Sequence, residues 1–228
     1  MPAHRSTMGS KFRTRSSSPM ELRPMLSEVS VLSRSDGSAS FSQGDCCALA
    51  AVYGPGEVKV AKELSDKASV EVVFKMKVGL PGCKEKIQER ILRNTCETAI
   101  AATLYPRTAI DIVIQEMHNS GSFLATCINC VCMAMLDACV DMKYLVAAVT
   151  CGLNSEGELI LDPTLEQESD LTALMIFAYE SSNFEVIATY TTGSFTSDQF
   201  QICLIHCREA SKHIFQFFRD TMARKLSK

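Results

Sequence analysis

The run from Ser122 to Cys139 places Leu, Ile, Val, Met, Ala and Cys on every side of a helix, with Asn129 enclosed among them. A helix that is apolar all round has no face to give to water and must be buried on all sides. Its longest apolar stretch, Phe123 to Leu136, is too short to span a bilayer. The segment therefore predicts a central helix around which the remaining elements pack, and no membrane partner.

The flanking sequence supplies strands and amphipathic helices for that cover. Between Glu21 and Val78 the pattern favours short strands, with Gly44-Asp45 as the turn signal between Ser38–Gly44 and Ala48–Pro55. In Ser69-Val-Glu-Val-Val-Phe-Lys-Met-Lys-Val, period-2 alternation puts Val70, Val72, Phe74 and Met76 on one face and Glu71, Lys75 and Lys77 on the other. Beyond Gly82 the period becomes helical through Ile87, Ile91, Leu92, Cys96, Ala99, Ile100 and Leu104, with Pro106 as the stop. Ala109–Ile114 reads as a strand buried on both faces or nearly so. Leu145–Leu153 and Glu158–Leu161 read as a hairpin about Asn154–Gly157, and further strands are expected over Thr172–Ala178 and Val186–Tyr190. Thr196-Ser-Asp-Gln199 is a capping-box pattern, and the helix it starts carries Cys203, Cys207, Ala210, Ile214, Phe217 and Phe218 as its buried stripe. Strands and helices mix without strict alternation, so the fold class is α+β.

Charge and composition exclude several functions. The net charge of −3 gives no global field toward nucleic acid or membrane, so any RNA contact must come from a local basic patch. Residues 1–19 are basic, Ser-rich and poor in apolar side chains, which predicts a disordered extension over 1–20 ahead of a single domain over 21–228. The 11 cysteines sit mostly among apolar residues. Cys127 and Cys130 form a C-x-x-C without a second pair and fall within a helix, which reads as reduced thiols serving as small hydrophobes and predicts no metal site. There is no Gly-rich phosphate loop, no H-E-x-x-H and no nucleophile elbow, and no cofactor is expected.

Several short motifs carry a resemblance. Glu21-Leu-Arg-Pro24, Asp36-Gly-Ser-Ala39, Gln43-Gly-Asp45 and Ala51-Val-Tyr-Gly-Pro55 follow one another in the order of the N-terminal signature of RNase PH-like proteins. Gln88–Arg93 is similar to that family's basic helix, Leu104-Tyr-Pro-Arg-Thr108 precedes a strand as in the family, Gly121–Asp137 matches its phosphate loop and central helix, and Leu161-Asp-Pro-Thr164 its catalytic strand. Each motif is weak alone; their order from Glu21 onward is specific. The chain resembles the RNase PH-like subunits of the eukaryotic RNA exosome, which implies mixed β-sheets packed around a central apolar helix with further helices.

The resemblance also implies a site, and this chain departs from it. Phosphorolysis must hold a phosphate dianion beside a phosphodiester, so positive charge and N–H donors have to offset the repulsion. The family's Gly-Thr-Arg phosphate loop is Gly121-Ser122-Phe123 here. Ser122 keeps a hydroxyl, whereas Phe123 replaces a bidentate guanidinium with an uncharged ring. Asp162 matches the first carboxylate of the catalytic pair, and Glu168 stands where the second aspartate is expected, with Gln167 in another acidic place. Asp162 is thus either a turn residue capping its strand end or the remnant of a metal site. Ser122, Asp162 and Glu168 are vestigial candidates, and no working catalytic residue is expected.

Arg93 matches a phosphate- or RNA-contacting arginine of the family, and Arg90, Lys75 and Lys77 join it as candidate RNA contacts. Lys84 and Lys86 read instead as a solvated face interleaved with Glu85, Glu89 and Glu97. By resemblance, the chain is expected to be an inert ring subunit beside other RNase PH-like subunits, with RNA-binding caps above and RNA in the channel. Its place would be the nucleus, nucleolus and cytoplasm. The alternative is a homodimeric nuclease acting on RNA or DNA through Asp162, Glu168, Ser122 and Arg93.

Overall fold

In the computed structural model, which describes residues 21–227, five strands form one sheet. They are β1 (Met25–Val29), β2 (Gly37–Gln43), β3 (Cys46–Glu57), β4 (Ser69–Lys75) and β5 (Thr108–His118), in the order β1-β2-β3-β5-β4. Strands β4 and β5 are parallel, which demands a crossover, and α1 (Cys83–Ala99) supplies it. After α2 (Phe123–Asp137), a second, antiparallel sheet is built from β6 (Val146–Leu153), β7 (Leu159–Leu161), β8 (Ala173–Glu180) and β9 (Val186–Gly193), in the order β7-β6-β8-β9. A short α3 (Leu165–Asp170) follows β7, and α4 (Ser197–Leu226) packs on β6 and β8. The extension expected over residues 1–20 lies outside the described residues.

The all-apolar run lands where its composition requires. Every residue of α2 from Phe123 to Met135 is buried, with β2 and β3 on one side and β6 on the other. Small residues let the helix come close to the first sheet. A Cβ at Gly37 would lie 2.2 Å from the Ala138 nitrogen, and the Cys130 thiol donates to the carbonyl of Ala39 or Ala48, 3.2 and 3.3 Å away. Burial pushes the Cys96 and Cys132 thiols up to about 12, so they stay protonated and unreactive. Among the described residues no group of three or more His, Cys, Asp and Glu is placed to hold a metal.

Asn129, the polar residue inside α2, has a definite task. Its Nδ2 donates to the Ala148 carbonyl at 3.0 Å and its Oδ1 accepts from the Ala148 N–H at 2.8 Å. Strand β7 pairs only with Cys151–Leu153 of β6, so the side-chain amide completes the β6 edge where β7 does not reach. Asn129→Ala should leave two buried backbone groups unsatisfied and lower stability by about 1–3 kcal/mol. A denaturant midpoint equal to wild type would exclude this account.

The structure differs from the expected elements in four places. First, α1 ends at Ala99 instead of running to Pro106, because Ile100 pairs with Met142 and the Ala101 N–H donates to Asp141. Leu104, counted into the helical stripe, is 62% exposed. Second, β5 buries Ile110, Ile112 and Ile114 fully, while its other face exposes Asp111 and half-buries Ala109 and Val113, so that face is only partly covered. Third, β4 ends at Lys75, and Met76 and Lys77 lie beyond it. Fourth, Phe215 takes the fully buried place on α4 while Phe217 is half-buried. The Thr196 capping box is present, with Thr196 accepting from Gln199 N and Gln199 from Thr196 N.

Candidate functional site

The turn after β7, the loop before α2 and the segment before β1 meet at one place. Asp162 leaves β7 with φ +52° and is 4% exposed. Thr164 caps α3 through a reciprocal pair with Gln167, so Gln167 serves the helix end. That pairing sets Glu168 one turn into α3. Opposite, Gly121 adopts φ +93°, and a Cβ there would lie 2.5 Å from the Leu165 nitrogen, so the loop can close on the turn only with glycine. The Leu165 N–H donates to the Ser120 carbonyl at 3.1 Å and locks the contact.

Asp162 is held by a buried arginine. Arg23 grips it bidentately, Nε to Oδ2 at 2.7 Å and Nη2 to Oδ1 at 2.6 Å, and the Arg23 backbone N–H adds a contact at 3.2 Å. The same guanidinium donates to the carbonyls of Ser120 and Gly121, both at 3.2 Å. The two side chains are 15% and 1% exposed. Burial works against the Arg23 charge, but hydrogen bonding and charge from Asp162 outweigh it and hold the guanidinium pKa above its ordinary value. Both oxygens of Asp162 thus face the Arg23 guanidinium, which makes Asp162 a turn residue and a buried ion-pair partner. Sequence reading singled out Glu21-Leu-Arg-Pro24 but gave Arg23 no role. The usable signal was a lone cation two residues ahead of an edge strand.

The phosphate-loop position is filled from within. Glu168 Oε1 accepts from the Ser122 N–H at 2.6 Å, and the Ser122 hydroxyl donates to the Pro163 carbonyl at 3.0 Å. Ser122 sits at the N-terminus of α2 with φ +57°, where free N–H groups favour an anion; the chain's own carboxylate takes that place. Phe123 is 7% exposed and packs edge-on against Phe74 at 5.8 Å, so its ring belongs to the core. Ser122, Asp162 and Glu168 are thus brought together: Asp162 is held through both oxygens by Arg23, Ser122 is bonded through its N–H and hydroxyl, and half-buried Glu168 is engaged through Oε1.

The basic candidates lie elsewhere. Arg90 and Arg93 line a cleft of about 630 Å³ with Lys62, Lys86, Glu71 and Glu89. Lys62 pairs with Glu71, Lys86 with Glu89, and Arg93 with Glu97. Four cations against Glu71, Glu89 and the Glu97 that pairs with Arg93 leave one net positive charge, with Arg90 unpaired among the described residues. Lys75 and Lys77 are exposed at the end of β4 and do not line the cleft. Glu89 also accepts the Phe74 N–H at 3.1 Å, which caps one outward N–H of the β4 edge.

This architecture matches known proteins over nearly the whole described chain. The model of the 3′ exoribonuclease family, domain 1, matches residues 21–141, and that of domain 2 matches residues 144–204. The exosome complex exonuclease RRP46 homolog of Arabidopsis thaliana is 34% identical, over 92% of this chain and 95% of its own. The crystal structure of rice Rrp46 superposes with a TM-score of 0.88 at 33% identity, covering 91% of this chain and 98% of that one. A chain of the Archaeoglobus fulgidus exosome with RNA bound to the active site shares the fold, with a TM-score of 0.76 at 15% identity over 88% and 90%. With two successive domain models matched in order and such relatives spanning its length, the chain belongs to the RNase PH family of 3′ exoribonuclease-type proteins.

Proposed function

We propose that this chain is a non-catalytic structural subunit of the RNA exosome core ring. It supports 3′-to-5′ RNA processing and degradation, in rRNA maturation, RNA surveillance and mRNA turnover, by nucleases associated with the ring. The observation that carries this reading is the self-occupied site: Arg23 holds both oxygens of Asp162 while Glu168 holds the Ser122 N–H. Phosphorolysis would need an incoming dianion to settle beside Glu168, where like charge opposes it, with no arginine from the loop to offset the repulsion. The names of the relatives support the ring setting. On this reading the partners are other RNase PH-like subunits, RNA-binding caps and RNA in the channel, in nucleus, nucleolus and cytoplasm. Arg90 and Arg93 touch the RNA backbone; Lys75 and Lys77 add charge at the end of β4.

The test uses the native assembly purified through this chain and a uniformly labelled single-stranded RNA. Added inorganic phosphate should release no nucleoside diphosphate that depends on Asp162, so wild type and Asp162→Asn should give equal rates. RNA crosslinking to α1 should fall several-fold in Arg90→Glu/Arg93→Glu. Phosphate-dependent release abolished by Asp162→Asn would overturn the proposal, as would an assembly containing only copies of this chain.

A further inference from the structure

We propose that β1 is a docking strand, alongside which an extended segment of a partner protein adds, with a carboxylate on its side toward α4. Edge strands present unpaired N–H and C=O groups, and proteins usually close them. On β4 one outward N–H, that of Phe74, is taken by Glu89, and β7 is only three residues long. Strand β9 (Val186–Gly193) is a further open edge; β1 is distinguished by the groove and the fixed cation beside it. The direction of the β1 groups follows from its bonds to β2. Ser30 N donates to Ser38 O at 2.8 Å and Gly44 N to Pro24 O at 2.9 Å. In an antiparallel pair the backbone groups alternate in direction, so Leu26 and Glu28 share that inward orientation. Met25, Ser27 and Val29 direct their N–H and C=O groups away from β2, to the open side.

A groove runs along that open side. It measures about 890 Å³ and lies between Ser27–Val31 and the end of α4, at Thr221, Arg224, Lys225 and Ser227. The Ser27 hydroxyl is shut off from solvent and has no hydrogen-bond partner among the described residues. Arg224 is held at the groove by bonds from Nε to Asp220 O and from Nη2 to Thr221 Oγ1, and pairs with no carboxylate among the described residues. Its neighbour Lys225 is already committed to Asp137. The groove therefore offers a fixed cation beside a row of free backbone groups, which suits strand addition by an acidic segment. On the opposite face of β1, Leu26 is 72% exposed and Glu28 is also exposed, so the incoming strand carries apolar or basic side chains there.

This inference rests on the ring reading only for the choice of assembly in its test. Amide hydrogen exchange is measured on the isolated chain and on the native assembly purified through it. The Ser27 and Val29 amides should exchange at least tenfold more slowly in the assembly. Arg224→Glu and Ser27→Pro, the second removing an outward N–H, should each restore fast exchange at Val29 while thermal melting of the isolated variant stays cooperative. Equal exchange in both samples overturns the inference. So does protection that appears in the isolated chain as it dimerises, which makes a second copy the occupant, or protection that ribonuclease removes. An assembly without other RNase PH-like subunits refutes the ring reading alone, because β1 protection is scored against whatever proteins are present.

Discussion

Replacing Arg23 with alanine should lower stability by about 3–5 kcal/mol, the cost of leaving a buried carboxylate without its partner. For a protein of this size that corresponds to a fall in Tm of roughly 2–4 °C per kcal/mol. The size follows from burial: the Asp162 side chain is 1% exposed and accepts from Nε, Nη2 and the backbone N–H of Arg23. A surface ion pair of the same geometry would contribute only about 0–1 kcal/mol. Arg23→Lys keeps the charge but loses the planar fork and the two donations to Ser120 and Gly121, so it should fall between wild type and alanine. Asp162→Asn in the Arg23→Ala background removes the uncompensated charge and should restore part of the loss. Additive effects of Arg23→Ala and Asp162→Asn in a double-mutant cycle of denaturant midpoints would show that the pair is not coupled.

The same pair marks how far the sequence could be read. The central helix was legible because its pattern admits only one physical outcome, complete burial, and α2 is buried from Phe123 to Met135. The α4 start was legible because a capping box is a local device whose partners lie three residues apart. Element ends were less so. The α1 stripe continues past Ala99 in composition, but a bridge from Ile100 to Met142 ends the helix, and that partner lies far along the chain. The site shows the same limit. Asp162, Glu168 and Ser122 were identifiable by type and order, and the structure brings them together. Whether they face a ligand or one another depends on Arg23, which is 139 positions from Asp162. The loss of Phe123's expected charge was visible in sequence. The turn of Glu168 toward the Ser122 N–H was not, because nothing local says where that carboxylate points.

A second clamp, far from any motif, sets the other large expected effect. Asp137 ends α2 and accepts from the Ser38 N–H at 2.8 Å, the Ser30 N–H at 3.1 Å and the Ser30 hydroxyl at 2.7 Å, and it pairs with Lys225 at the end of α4. One carboxylate thereby ties the central helix, the β1–β2 connection and the C-terminal helix. Asp137→Ala should cost about 1–3 kcal/mol, chiefly for the buried Ser38 N–H left unsatisfied, because Ser30 is exposed and its N–H still donates to the Ser38 carbonyl. The total should stay below the Arg23→Ala loss, because the Lys225 side chain is 34% exposed and can be rehydrated. Burial pushes the Asp137 carboxyl up, but Lys225 first, then the Ser38 N–H and the Ser30 hydroxyl, outweigh it and hold its pKa below the ordinary carboxylate value. A pKa depressed on folding means that the stabilisation is complete above the unfolded-state value, about 3.9 for aspartate, and is lost as pH falls through the lower folded value. The difference in denaturant midpoint between wild type and Asp137→Asn should therefore be constant from about pH 5 upward and shrink below about pH 4. A difference that is the same at pH 3 and pH 7 would show that the carboxylate charge adds nothing to the clamp, leaving only its shape and its two backbone acceptances to hold the three elements together.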